Sequence, residues 1–276
     1  MIVSVSRRCD IPRFQFDWFL ERLEAGFADV PNPFNAAQIR RVPLVSAEDA
    51  PAFVFWTRDP RNIAAHAGEL EGRGCRFYTM VTVTGYPAAL ESGALPAETA
   101  AAAVRLLAEK TGARRVIWRY DPVFVSSITD YDFHRRNFGE LSRALAGAVR
   151  RVIISLYDEY GGAKRRVAAL EKAGAFSMMP MRAGGAPVPE VKALIADLAS
   201  MARGAGMEMQ SCAEDAASLG IGAGACIDGD LMRELWGMEA PPRDKHQRPL
   251  CLCAEAVDIG RYGSCPGGCV YCYARR

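Results

Sequence analysis

Apolar runs and amphipathic runs take turns along most of this chain. "MIVSVS" is β-branched and apolar, and predicts a strand ending at Arg7, Arg8 and Asp10. "FDWFLERLEAGF" carries its apolar residues at helical spacing. "AFVFWT" predicts a second, buried strand closed by "RDP", and "NIAAHAGELEG" a helix with a glycine stop. The alternation continues with strand "RFYTMVTVT", helix "ALPAETAAAAVRLLAEKTG", strand "RRVIWRYDPVF", helix "DYDFHRRNFGELSRAL", strand "RRVIISLYD" and helix "AKRRVAALEKAG". A long helix near "VPEVKALIADLASMARGAG" and a sixth strand, "MEMQSCA", follow. Pro96 and Gly112 bound the alanine-rich helix, one near its start and the other at its end. Repeated β-then-α units predict an α/β fold of parallel strands with right-handed crossovers. Six or more units favour a (β/α) barrel, partial or full, over a short open sheet, with the barrel body in residues 1–211.

From Cys212 onward the pattern changes. Glycine, proline and cysteine dominate, and helical periodicity survives only near "DGDLMRELWG". Residues 212–276 hold too little apolar mass to fold alone without metal. They are expected to form a Cys/Gly-rich, metal-binding tail packed on the barrel as part of one structural unit.

Composition narrows the class. Half of the 276 residues are hydrophobic and 24% are charged, as in ordinary globular domains. A net charge of +2, with no dense Lys/Arg stripe, disfavours nucleic acid as a partner without excluding it. No apolar run approaches the ~20 residues of a membrane helix, and the N-terminus lacks the order of a signal peptide. The expectation is a cytoplasmic protein with no membrane association. Nine cysteines in a reducing compartment argue against disulfides, and seven of them fall after residue 211, which points to metal or redox chemistry.

Parallel α/β folds place their chemistry at the C-terminal ends of strands. Four strands end in related language: "SRRCDIP", "FWTRDP", "WRYDP" and "SLYDEY". Arg7, Arg8, Asp10, Arg58, Arg119 and Asp121 are the candidate catalytic residues on that edge, with Thr57 and Tyr120 as candidate cofactor contacts. Arginine forks suit carboxylate or phosphate. Asp10, Asp59, Asp121 and Asp158 can pair with those arginines or bind amine and hydroxyl groups, and the competing reading is that Asp-Pro merely terminates strands. His66 and His134 lie in helical patterns and read as surface histidines, and His246 reads as a minor candidate ligand. No G-x-G-x-x-G follows a strand.

The strongest signal is "SCPGGCVYCYARR", in which Cys265, Cys269 and Cys272 are spaced C-x3-C-x2-C. Thiolates suit both iron clusters and zinc. Three thiolates wrap one cubane and leave one iron without a cysteine from the motif. Cys212, Cys226, Cys251 and Cys253 match a complete tetrathiolate set, for a second 4Fe-4S cluster or for zinc. A different partition is also open, in which Cys251 or Cys253 completes the terminal cluster. Cys9 reads as a small polar substitute and Cys75 as a buried apolar residue. Glu214 either orients a ligand or caps the helix after it.

"CPGGCVYC" resembles the radical S-adenosylmethionine signature, C-x3-C-x-aromatic-C, with Tyr271 in the aromatic slot. The resemblance implies a 4Fe-4S cluster on Cys265, Cys269 and Cys272, with S-adenosyl-L-methionine chelating the fourth iron. It further implies reductive cleavage to a 5'-deoxyadenosyl radical that abstracts hydrogen from a substrate, with a ferredoxin or flavodoxin as electron donor. "CVYCYA" is similar to the cluster loop of spore photoproduct lyase and its relatives, which are built on partial or full (β/α) barrels. Tyr271 and Tyr273 would then shield the cluster or contact adenine, and Tyr271 could equally be loop packing. Most of the chain is similar to a bacterial family of unknown function carrying "SVSRR-DIP", "NPFN", "FWT-P", "WRYDP", "CAE", "CID", "DK-QR" and a C-terminal cysteine cluster. In the radical superfamily the cysteine loop follows the first strand, whereas here it closes the sequence, and a circular permutation accounts for both. The resemblance assigns no substrate; the expectation is a small molecule or peptide, with nucleic acid possible but not favoured. The alternatives are a non-radical iron–sulfur or zinc protein with a redox, binding or structural role, and a metal-independent enzyme using the Asp and Arg groups.

Overall fold

The computed structural model describes residues 1–45 and 51–275. The chain opens with β1 (Ile2–Val5), α1 (Ile11–Phe14) and α2 (Phe16–Ala25), then β2 (Phe27–Asn32) and β3 (Asn35–Pro43). Next come β4 (Ala52–Thr57), α3 (Arg61–Gly72), β5 (Arg76–Thr82), α4 (Ala97–Thr111), β6 (Val116–Val123), α5 (Tyr131–Leu145), β7 (Arg151–Leu156) and α6 (Gly161–Lys172). A small pair, β8 (Arg182–Ala183) and β9 (Ala186–Pro187), precedes α7 (Pro189–Gly204) and β10 (Glu208–Ser211). The chain ends with α8 (Ala216–Leu219), β11 (Gly222–Ala223), α9 (Gly229–Trp236) and β12 (Val257–Asp258).

Eight of these strands form one sheet, in the order β11-β10-β7-β6-β5-β4-β1-β12, with every neighbouring pair parallel. This is chain order with the last strand set beside the first, which is how a (β/α) barrel closes. Among the described residues β11 and β12 do not pair, so the ring has an open seam. The sheet curls nonetheless. Six strand spacings separate β10 from β12, on the order of 30 Å in a flat sheet. Yet Cys212, directly after β10, contacts Cys253, and the four residues from Cys253 to β12 span at most ~14 Å.

The two faces of the sheet have separate cores. Val3, Phe53, Phe55, Phe77, Trp118 and Ile154 face the helices. Val54, Trp56, Tyr78, Met80, Ile117 and Ile153 face inward, against Cys226, Ile227, Met232, Cys251, Cys253 and Ala254. All six residues of β4 are buried, as expected of a parallel strand covered on both sides. Segment 226–256 therefore packs into the concave face as an apolar plug.

Local rules position the ends of the elements. Asp10, Asp130 and Asp228 cap α1, α5 and α9 with side-chain bonds to amides two or three residues on. The antiparallel β2–β3 hairpin carries no apolar alternation in its second strand, which is exposed at eight of nine positions. That is why the pattern of the sequence does not announce it. β11 and β12 are two residues each, too short for any periodicity. His134, expected on the surface, is fully buried: its ring bonds the Tyr120 hydroxyl at 2.8 Å and the Phe124 carbonyl at 3.2 Å.

Candidate metal centre

The terminal cysteine loop starts six residues after the end of β12, and β12 lies parallel to β1, with Val3 opposite Val257. Asp258 ties the two strands together. Its carboxylate accepts from Ser4 Oγ (2.8 Å), Ser6 Oγ (2.5 Å), Arg7 N (2.8 Å) and Gly260 N (2.9 Å). The Arg7 and Arg8 guanidiniums stand 3.8 and 4.0 Å away. Arg8 also bonds the Gly260 carbonyl and lies over the Tyr262 ring. The "SRR" turn and the start of the cysteine loop are thus one polar junction.

Tyr271 anchors the far end of the loop. Its ring packs edge-on to Tyr86 and near Phe124, and its hydroxyl meets Arg58 Nη2 at 2.8 Å and the Glu91 carboxylate. Glu91, whose side chain is wholly buried, also receives Arg58 Nη1 at 2.8 Å and the Thr84 hydroxyl. The loop backbone fits closely. Val270 N donates to Leu90 O at 2.9 Å, and the Arg166 guanidinium of α6 donates to the carbonyls of Val270, Cys272 and Arg275. Gly268 adopts φ +74°, and a Cβ there would lie 2.3 Å from Ser92 Oγ. Cys265, Cys269 and Cys272 are half-buried. Burial pushes the Cys269 thiol up to about 11, opposed by the Arg58 guanidinium.

The remaining four clustered cysteines meet elsewhere, inside the curl. Cys226 Sγ is 3.3 Å from Cys212 Sγ. Ile227 N donates to Cys253 Sγ at 3.4 Å, and the neighbouring Cys212, Cys226 and Cys251 thiols pull the Cys253 thiol well below its ordinary value. Cys226 and Cys251 are raised in return, chiefly by their bonds to Cys212 and Cys253 respectively. The seven cysteines thus divide into three on the terminal loop and four in the plug. Among the described residues no group of three or more Cys, His, Asp or Glu side chains is already placed to hold a metal ion. His246 is exposed and Cys75 half-buried. Cys9 is buried against Gly260, where a Cβ would meet its sulfur at 2.8 Å.

The strand-end residues separate by face. Arg119 and Asp121 point inward: Arg119 pairs with Asp121 and lies 5.0 Å over the Trp56 ring, and Asp121 receives the Ser155 hydroxyl. Arg119 Nε and Trp56 Nε1 are buried with no hydrogen-bond partner in the protein. Thr57 and Tyr120, grouped with them in the sequence reading, fall on the helix-facing side. Successive strand residues alternate faces, so Tyr120 packs on Phe138 and His134 while Thr57 Oγ1 bonds the Asp59 backbone.

Asp10 and Asp59 are turn-forming carboxylates. Asp10 caps Arg13 N and accepts Arg58 N at 2.9 Å, and burial pushes it up to about 6 against those bonds. Asp59 holds Arg61. Asp158 pairs with Arg248 and Arg182. Glu214 accepts Leu156 N and Arg182, while Asp215, not Glu214, caps α8. Tyr273 is exposed over part of its ring, but its hydroxyl turns inward to the Arg7 carbonyl at 2.8 Å. Sequence reasoning missed Asp258, Glu91, Arg166 and Trp56. Asp258 lies on a two-residue strand and Glu91 on a loop, so neither stands out by pattern. A groove of about 530 Å³ lined by Arg135, Arg136, Arg143 and Met201 lies between α5 and α7 on the outer layer, not at the strand ends.

A curled parallel sheet with thiol-bearing loops at its strand ends defines the class: a barrel-like α/β protein with a candidate metal centre. The chain belongs to the family described as Domain of unknown function (DUF1848), whose model matches residues 2–274. No curated protein matches. Among solved structures the chain is similar to deoxyribose phosphate aldolase from Aeropyrum pernix, at 17% identity, over 63% of this chain and 70% of that one. The TM-score of 0.26 is too low for that likeness to carry an argument. No helix of the described residues is long and apolar enough to cross a membrane.

Proposed function

We propose that this protein is a radical S-adenosylmethionine-type iron–sulfur enzyme, with Cys265, Cys269 and Cys272 as the ligands of one 4Fe-4S cluster. The observation that carries this reading is the division of the cysteines. Cys251 and Cys253 are buried in one cluster with Cys226, and Cys212 packs against it, which leaves three thiols on the loop after β12. Three thiols on one short loop are the donor chemistry such a cluster takes. A Cβ on Gly267 would press to 3.3 Å from Cys265 Sγ, so glycine keeps that side of the sulfur clear. The strand order supports the permuted relationship, since the loop follows a strand that pairs with β1.

When bound, such a cluster supplies one electron for reductive cleavage of S-adenosylmethionine. The chain's own groups do the positioning. Tyr271, clamped by Arg58 and Glu91, and Arg166, holding three loop carbonyls, fix the thiol-bearing backbone. Arg119 Nε and Trp56 Nε1, inward-facing and without protein partners, are donors for an anionic or carbonyl group of a small molecule or peptide. Asp121 is the acceptor beside them. A ferredoxin or flavodoxin is the matching class of electron donor. The net charge of +2 disfavours an extended nucleic-acid substrate.

The test is anaerobic reconstitution with iron and sulfide, reduction, and assay for 5'-deoxyadenosine from S-adenosylmethionine. Release by the wild type and none by Cys269→Ser is the expected result. A stable, fully reduced cluster that releases none with any reductant overturns the proposal and favours a redox, binding or structural iron–sulfur role.

A further inference from the structure

We propose that Cys212, Cys226, Cys251 and Cys253 form a mononuclear zinc site inside the barrel, not a second iron–sulfur cluster. The inference stands apart from the reading of the terminal loop and uses none of its residues. Its basis is the spacing of the sulfurs. Around a tetrahedral zinc with Zn–S near 2.3 Å, sulfurs stand ~3.8 Å apart. A cubane puts each thiolate on a different iron, and its sulfurs stand about 6 Å apart. Here the Cys212 and Cys226 sulfurs are 3.3 Å apart, and Cys226, Cys251 and Cys253 lie in one buried cluster with Cys212 packed against it. A pair at 3.3 Å is compatible with two ligands on one ion after an outward shift of a few tenths of an ångström. It is incompatible with ligands on two different irons unless the plug is pushed apart.

The surroundings suit a closed structural site. Cys226, Cys251 and Cys253 are almost fully buried, in the apolar core shared with Tyr78, Met80 and Ile117. Ile227 N donates to Cys253 Sγ at 3.4 Å. A zinc tetrathiolate carries a net charge of −2, and three guanidiniums are placed to balance it. Arg248 bonds the Cys212 carbonyl at 3.3 Å, Arg119 acts electrostatically on Cys212, and Arg7 feels Cys253 and Cys226. The ligands come from three places in the chain: the residue after β10, the turn before α9, and the irregular segment before β12. One ion would therefore join both sides of the open seam. Segment 237–256 has no helix or strand of its own and is held by scattered backbone bonds such as Asp244 N to Cys253 O, to which coordination would add.

The experiment is metal analysis of the full-length protein purified without added metal, in the wild type and in a variant with Cys265, Cys269 and Cys272 all changed to alanine. One zinc per chain in both, with four sulfur neighbours at about 2.3 Å in zinc-edge X-ray absorption, is the expected result. Cys253→Ala should lose the zinc. Because that variant may not fold, the wild type is also titrated with a mercurial in the presence of a zinc indicator, and one zinc should be released as four thiols react. Iron in place of zinc at these residues, as a single ion or as a cluster, overturns the proposal. So does a folded chain that carries no metal there, or zinc lost with the loop cysteines.

Discussion

Replacing Tyr271 with phenylalanine removes one oxygen and tests whether the cysteine loop is held by a buried polar knot. The hydroxyl sits between Arg58 Nη2, at 2.8 Å, and the Glu91 carboxylate, while the ring keeps its contacts with Tyr86 and Phe124. In Tyr271→Phe the ring packing survives, Glu91 keeps Arg58 and Thr84, and Arg58 Nη2 loses its hydroxyl acceptor. Hydrogen bonds to charged groups are worth about 1.5–3 kcal/mol, and the stranded donor puts the loss in that range. Tyr271→Ala adds the cavity left by the ring, for a total of about 3–5 kcal/mol. Urea unfolding followed by tryptophan fluorescence reads the global change. If the loop opens before the rest of the molecule, hydrogen exchange at the Val270 amide, bonded to Leu90 O, reads the local one. The same energy then appears as a roughly 10- to 150-fold loss of protection. A Tyr271→Phe protein within about 0.5 kcal/mol of wild type by both measures refutes the anchoring role.

Three further outcomes follow from the same geometry. His134 is buried and held near pKa 4, below its ordinary 6.5, so the unfolded chain binds its proton first. Stability is lost as pH falls from about 6.5 to 4, by up to roughly 3 kcal/mol, and His134→Gln should flatten the wild-type acid limb in urea titrations run at several pH values. Asp258→Ala strands the Arg7 amide and two serine hydroxyls and breaks the junction of β1 with β12, costing about 3–5 kcal/mol by urea midpoint; a loss under 1 kcal/mol would remove Asp258 from that role. Gly268→Ala combines a left-handed backbone with a clash on Ser92 Oγ, and should lower stability by at least ~1–2 kcal/mol while raising proteolysis of the terminal loop.

The longer helices and the six inner strands of the large sheet were legible because most of them bury enough apolar residues to set a period. What escaped was carried by short or exposed pieces. β12 is two residues long, yet it decides where the cysteine loop lies. The β2–β3 hairpin faces water along most of its second strand and so shows no alternation. Arg119 and Tyr120 are adjacent in "WRYDP", and a reading by motif treats them alike. The strand's two-residue period sends one into the curl and the other among the helices. His134 shows the converse failure, since a polar residue in a helical pattern reads as surface until a tyrosine hydroxyl and a carbonyl are found to satisfy it. For the cysteines, spacing alone separated the C-x3-C-x2-C loop from the rest but left Cys251 and Cys253 free to join either group. In the fold Cys251 and Cys253 join the inward cluster with Cys226 and Cys212, whereas Cys265 and Cys269 pack on the helix-facing core.

The open seam explains why the cysteine-rich segment occupies the concave face. A closed parallel barrel fills its interior with its own strand side chains and satisfies every edge by pairing. Here β11 and β12 are two residues each and do not pair with one another among the described residues, so neither backbone bonds nor long strand side chains close the ring. Ile227, Met232 and the plug cysteines supply the missing apolar contacts to Tyr78, Met80 and Ile117. Tyr78 adds polar fastening: its hydroxyl donates to the Cys226 carbonyl at 2.6 Å and accepts Asp228 N at 2.9 Å. The same phenol that ends the turn before α9 thus fixes one of the four thiols, and Asp228, which caps α9, pairs with Arg151 of β7. The plug is tied to the sheet from β5 to β7 independently of any metal. On the zinc proposal, removal of the ion should therefore loosen the Cys251–Cys253 side of the seam first and leave α9 docked. Hydrogen exchange after chelation would show this as deprotection of the Cys253 carbonyl's partner, Asp244 N, before that of Met232 N. Simultaneous deprotection of both would mean that the ion, not the Tyr78 fastening, holds the plug in place.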